Sequence, residues 1–121
     1  MDKIESREDY LEAILQLLLE EGNNPKSIDV ARKLGYSKPS VSVAVKKLKE
    51  DHLIIVDDDG GLILTPEGKE IAEKTLEKHE YLTALFIKIG VDPVSAEDQA
   101  CRIEHSINED TFQKLKAYLG K

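Results

Sequence analysis

Between Ser27 and Glu50 the chain reads SIDVARKLGYSKPSVSVAVKKLKE. Ala31, Gly35 and Val41 stand four and six residues apart in this run, as two helices require when they cross tightly around a turn. Such a crossing needs a small side chain where the helices touch, a residue tolerant of positive φ at the turn, and an apolar anchor in the second helix. Ser27 can cap a short helix carrying Ile28, Val30, Ala31 and Leu34, and Gly35 ends it. Ser37 can cap the next helix, whose first turn accepts Pro39 because the missing N–H has no intrahelical acceptor there. That second helix runs to about Glu50, and the pair reads as a helix-turn-helix.

Working towards the N-terminus, Gly22-Asn23-Asn24-Pro25 closes an earlier helix from about Arg7 to Glu21, with Ser6 as its cap and Leu11, Ile14, Leu15 and Leu18 at helical spacing. Working towards the C-terminus, Leu53–Val56 and Leu62–Leu64 flank Asp57-Asp58-Asp59-Gly60-Gly61, which is a hairpin signal. Thr65-Pro66-Glu67 starts a long helix to about Ile89, with Ala72, Leu76, His79, Thr83 and Phe86 along one seam and Gly90 at its end. Ser95 with Asp98 caps a further helix to about Ser106, and Asn108 opens a last one carrying Phe112, Leu115 and Leu119. The expectation is a mainly α protein with a small β-hairpin wing. A winged helix-turn-helix domain (1–65) is followed by a helical subdomain (66–121), with helix 66–89 connecting the two; the donors and apolar residues given below make this second part the candidate metal-binding and dimerisation subdomain. A small helical bundle with an added hairpin is the competing fold. Leu82, Leu85, Phe86, Ile89, Phe112, Leu115 and Leu119 are more apolar residues than a small subdomain buries alone, so a homodimer is expected. A two-fold dimer reads a palindromic operator on double-stranded DNA.

Composition bounds the function. A chain of 121 residues suits one domain or two small subdomains and excludes a large multidomain enzyme. No apolar run approaches the ~20 residues of a bilayer span, and Cys101, the single cysteine, cannot form an internal disulfide; a cytoplasmic protein with no membrane partner is expected. The formal net charge of −7 conceals a basic island, since residues 26–50 hold seven Lys and Arg against Asp29 and Glu50, a local +5. If the second helix of the pair enters a major groove, Ser37, Lys38, Pro39, Ser40, Ser42 and Val43 lie nearest the bases and phosphates, with Pro39 and Val43 able only to pack. Lys46 and Lys47, with Lys49, sit further back and hold the sugar-phosphate backbone. The acidic wing tip, Asp57 to Asp59, repels phosphates, and it lacks the bidentate acid that a calcium loop requires.

Cys101, Glu104 and His105 fall at i, i+3 and i+4, so a thiol, a carboxylate and an imidazole share one helical face. Asp9 and Glu12 are likewise i and i+3 in the first helix, and His79 lies on the seam of the long helix. Singly each has an ordinary use: Asp9 as a cap, Glu12 as a solvated acid, His79 as a core histidine, Cys101 as a small hydrophobe. Together they are a candidate site for a divalent transition metal. A zinc enzyme built on His79, Cys101 and His105 with Glu104 as base leaves the basic helix unexplained and lacks an evident substrate pocket, so no enzymatic activity is expected. A winged helix serving as an interaction module, or responding to no metal, is the other alternative.

Asp9-Tyr10-Leu11-Glu12, Ser37-Lys38-Pro39-Ser40-Val41, Leu64-Thr65-Pro66-Glu67-Gly68, Lys78-His79-Glu80 and Ala100-Cys101-Arg102-Ile103-Glu104-His105 together resemble the diphtheria-toxin-repressor family, including its manganese-transport-regulator branch, nearly end to end. The resemblance implies a DNA-binding transcriptional regulator, in most cases a repressor of metal-homeostasis genes. It implies Asp9, Glu12, His79, Glu104 and His105 as manganese-branch ligands and Cys101 as an iron-branch ligand, where the manganese branch has Glu. The iron branch usually has Met at the position of Asp9, and its second site draws on a Glu and a His where this chain has Thr83 and Glu97. The implied site is a hybrid, and the SH3-like third domain of longer iron-branch members has no counterpart in the 121 residues. Thiolate softness favours Fe(II), Co(II), Ni(II) or Zn(II) while the carboxylates draw back towards Fe(II) and Mn(II), so Fe(II) is expected first and Mn(II) second.

Overall fold

The computed structural model describes residues 7–120. Six helices and one hairpin follow in the order α1 (Arg7–Glu21), α2 (Ser27–Leu34), α3 (Lys38–Glu50), β1 (Ile54–Val56), β2 (Leu62–Leu64), α4 (Pro66–Lys88), α5 (Pro93–Ile103) and α6 (Glu109–Leu119). The mainly α architecture with a two-stranded wing is as expected. The Ser6 cap lies outside the described residues. The chain forms two compact units, residues up to Lys74 and residues from Thr75, with the division inside α4. No helix among the described residues is long and apolar enough to cross a membrane.

In the first unit, Ala31 and Val41 are buried, and Gly35 adopts the left-handed conformation (φ 73°) that turns the chain between α2 and α3. α2 starts at Ser27 itself rather than after it. Lys26 is the N-cap, its N–H donating to Asp29 Oδ2 (2.9 Å) while Asp29 N–H returns to the Lys26 carbonyl (3.0 Å). Ser37 caps α3 as expected, its hydroxyl oxygen accepting from Ser40 N–H at 3.3 Å. α1 supplies most of the core through Leu11, Ala13, Ile14, Leu15 and Leu17; Leu17, not Leu18, is the buried member of that pair.

The hairpin pairs antiparallel with Ile54 opposite Leu64, Ile55 opposite Ile63 and Val56 opposite Leu62. Ile54 and Leu62 point into the core. The wing is also tied back beyond its own hairpin: Leu62 N–H donates to the Pro25 carbonyl (2.8 Å), and Lys26 bridges Gly61. At the tip, Asp57 Oδ1 accepts from Asp59 N–H (2.9 Å) and Gly61 N–H (2.7 Å), so this acid closes the turn. The start of α4 is then clamped to the end of α3: Thr65 N–H donates to the Leu53 carbonyl (3.1 Å), and Thr65 Oγ1 donates to the His52 carbonyl (2.9 Å).

In the second unit, Leu82, Ala96, Ala100 and Phe112 are buried, with Tyr81 packed edge-on against Phe112 at 5.6 Å between ring centroids. This corrects the apolar set expected at a dimer surface, because Leu82 and Phe112 are core residues of the single chain. Ile87, Ile89, Val94, Tyr118 and Leu119 are the large apolar side chains left exposed in that unit. α5 also begins earlier than expected. Its cap is Asp92, which accepts from Val94 and Ser95 N–H, with Pro93 following at the first helical position. Asn108 caps α6 by accepting from Thr111 N–H at 2.8 Å, as expected.

Candidate metal centre and nucleic-acid face

The candidate metal centre of the second unit is built where α5 ends. The helix stops at Ile103, short of the expected Ser106, but Glu104 retains helical angles (φ −59°, ψ −29°) and its N–H still bonds to the Ala100 carbonyl. Glu104 therefore keeps the i+3 relation to Cys101 that a regular helix would give it. Its side chain is fully buried, with Oε2 3.1 Å from His79 Nδ1 of α4 and Oε1 3.3 Å from His105 Nε2. Ligand atoms of His79, Cys101 and Glu104 all lie within 4.8 Å of one another. One carboxylate, one thiol and one imidazole thus converge from two helices, with a second imidazole against the same carboxyl group.

That donor set fits a divalent transition ion. Imidazole and thiolate suit Fe(II), Co(II), Ni(II) and Zn(II), while the carboxylate keeps the site open to harder ions. A buried carboxyl group facing two histidines is also costly as pure architecture, since burial removes polar atoms from water that only good partners replace. Asp9 and Glu12 are found in the first unit, buried one turn apart on α1 beside Tyr10. Thr83 follows His79 by one turn of α4, and its hydroxyl is buried with no hydrogen-bond partner.

The candidate nucleic-acid face is that of α3. Ser37, Lys38, Pro39, Ser42, Val43, Lys46 and Lys47 are exposed and Ser40 is half-buried, while Val41 and Leu48 face inward. Val43 is 70% exposed, so its side chain is open to a partner. A groove of about 330 Å³ runs beside it, lined by Arg7, Tyr10, Ser40, Val43, Lys47 and Asp51 among others. Sequence reasoning missed Arg7 in this lining because it lies outside the basic island and no local pattern links it to α3.

Comparison with known proteins identifies the family. Residues 2–62 match the model of the iron dependent repressor N-terminal DNA binding domain, and residues 65–121 match that of the iron dependent repressor metal binding and dimerisation domain. The chain belongs to the iron-dependent repressor family of metal-dependent transcriptional regulators, which are not enzymes. It is 32% identical over 111 residues to the transcriptional regulator MntR of Salmonella typhimurium, covering 92% of this chain and 70% of that protein. It is 34% identical over 115 residues to the diphtheria toxin repressor of Corynebacterium diphtheriae, covering 94% of this chain and half of that one. The crystal structure of T. acidophilum IdeR superposes with a TM-score of 0.83 at 27% identity, over 99% of this chain and 56% of that chain.

Proposed function

We propose that this chain is a homodimeric repressor that reads a palindromic operator of metal-homeostasis genes and responds to Fe(II) first and Mn(II) second. Residues 1–65 read DNA through Ser37, Lys38, Pro39, Ser40, Ser42, Val43, Lys46 and Lys47. Residues 66–121 dimerise and bind metal. The ligand set is Asp9, Glu12, His79, Cys101, Glu104 and His105. The observation that carries the reading is the convergence of His79, Cys101 and Glu104 within 4.8 Å around a buried carboxyl group. When bound, a divalent ion supplies the positive charge that lets anionic donors share so small a volume.

The residues of the chain do the rest. The lysines of α3 supply phosphate affinity, whereas Val43 and Pro39 present apolar surface to the groove floor. A dimer reads successive major grooves only if its two recognition helices stand about 34 Å apart. Because the proposed ligands come from α1 as well as from α4 and the end of α5, metal occupancy and operator occupancy are linked, and each tightens the other by one common factor.

The test is fluorescence anisotropy on duplexes selected from a random library, under anaerobic conditions, with and without Fe(II) or Mn(II). Metal is expected to tighten operator binding by about 5–150-fold. Asp9→Ala, Glu104→Ala and His105→Ala are each expected to abolish that gain while leaving the far-UV circular dichroism unchanged. Equal binding by metal-free and metal-loaded protein refutes the proposal.

A further inference from the structure

The turn that follows Ile103 carries Glu104 and His105 and joins α5 to α6. Glu104 N–H bonds back to Ala100 (3.0 Å) and Ser106 N–H to Ile103 (2.9 Å), which keeps the turn in register with α5. Asn108 opens α6 immediately afterwards. The carbonyl of Ile107, between the two helices, accepts from Lys78 Nζ of α4 at 2.9 Å. Lys78 is only 14% exposed in its side chain and lies 4.0 Å from Glu109 Oε2. It is the residue immediately before His79. Adjacent side chains of α4 therefore reach both ends of one four-residue span, His79 at Glu104 and Lys78 at Ile107.

We infer that Lys78 is a positioning residue for the metal centre, its ammonium holding the 104–107 turn against the helix that supplies His79. The inference rests on the metal-ligand reading of His79, Cys101 and Glu104 and deepens it. Glu104 is the last residue held by the ladder of α5, and His105 to Ile107 lie beyond it, so that ladder alone does not fix how the turn approaches α4. A hydrogen bond from a largely buried ammonium is stronger than an exposed contact, and it fixes the carbonyl that it reaches. Groups that orient ligands without touching the ion typically account for about 10–100-fold in metal affinity.

The experiment is a Co(II) titration of the full chain, followed by d–d absorption and by the thiolate-to-cobalt charge-transfer band that reports Cys101. Lys78→Met is expected to remain folded by far-UV circular dichroism, to bind Co(II) about 10–100-fold more weakly, and to show a diminished charge-transfer band. Lys78→Arg is expected to recover most of the affinity, and Glu109→Gln to match the wild type. If Lys78→Met does not fold, Lys78→Gln, which keeps one donor, is read instead and should show a smaller loss in the same direction. Wild-type affinity and spectrum in the folded lysine variant overturn the inference, as does a variant that is merely less stable yet binds Co(II) normally. A loss in Glu109→Gln equal to that in Lys78→Met also overturns it, by placing the effect in the ion pair. If the wild type takes up no Co(II), the metal reading itself falls, and Lys78 falls with it.

Discussion

Gly68→Ala is a substitution that helix propensity alone would favour and that this fold should punish. Gly68 lies in the first turn of α4, and a Cβ added there would fall well inside contact distance of the Leu53 carbonyl oxygen and 3.0 Å from its carbon. Both obstructing atoms are backbone, so no side-chain rotation relieves them. The start of α4 must move away from Leu53 by about 1.5 Å to restore ordinary contact. The two hydrogen bonds that clamp this junction, Thr65 N–H to Leu53 at 3.1 Å and Thr65 Oγ1 to His52 at 2.9 Å, then exceed bonding distance. At about 1 kcal/mol net for each bond, with a further penalty for any group left buried, the loss is about 2–4 kcal/mol. Replacing glycine by alanine in a helix returns about 1 kcal/mol, leaving a net destabilisation of about 1–3 kcal/mol. Urea unfolding followed by far-UV circular dichroism measures it, with the exposed neighbour variant Lys69→Ala as a control expected to change stability by less than about 0.5 kcal/mol. A Gly68→Ala protein as stable as the wild type, or more stable, refutes the close-approach argument.

Other expectations follow from the same geometry. Ser37→Ala removes the cap of α3 and should cost about 0.5–2 kcal/mol in urea unfolding, whereas Ser37→Asp should keep the stability and weaken DNA binding by placing negative charge at the phosphates. Lys46→Ala and Lys47→Ala should weaken binding to all duplexes alike and reduce the slope of log affinity against log salt by about 1 each, while Val43→Ala should alter which duplexes are preferred. Cys101→Glu replaces the soft donor with a hard one and should move competitive metal binding from Co(II) and Zn(II) towards Mn(II), read by equilibrium dialysis against mixed metals.

The parts of the fold that were legible in the sequence are those in which one residue answers a local backbone demand. Gly35 at positive φ, Ser37 and Asn108 as caps, and the strands around Gly60-Gly61 are of this kind. Where two local signals competed, the sequence misled. Ser95 with Asp98 has the form of a cap and its partner, yet Asp92 takes the role, because Pro93 is preorganised for the first helical position and leaves the residue before it to cap. Three aspartates in the wing tip register as charge, although the orientation of Asp57 towards two N–H groups makes one of them a turn constraint. Periodicity identifies an apolar face without saying what covers it, so it cannot separate Leu82 and Phe112, which lie in the core of the chain, from the exposed Ile89 and Leu119. The i, i+3 spacing brought Cys101 and Glu104 together correctly. The contacts of His79 with Glu104 and of Lys78 with Ile107 span 25 and 29 residues, and no local pattern encodes those distances.

Stability alone gives no account of Glu104. Three ion pairs of the second unit, Lys116 with Glu77, Arg102 with Asp98 and Lys114 with Asp110, are solvent-accessible and worth at most about 1 kcal/mol each. Glu104 is 1% exposed and ranks among the largest fully buried side chains of the protein. Replacing a buried polar cluster by apolar residues of similar volume is often neutral or stabilising, so a leucine or methionine at this position would serve the fold at least as well. The chain nevertheless keeps a carboxyl group there, sets an imidazole against each of its oxygens, and places its one thiol within reach of the same atoms. Three kinds of metal-binding side chain gathered on one buried carboxyl group are what the proposed divalent ion requires, and that is the ground on which the proposal stands.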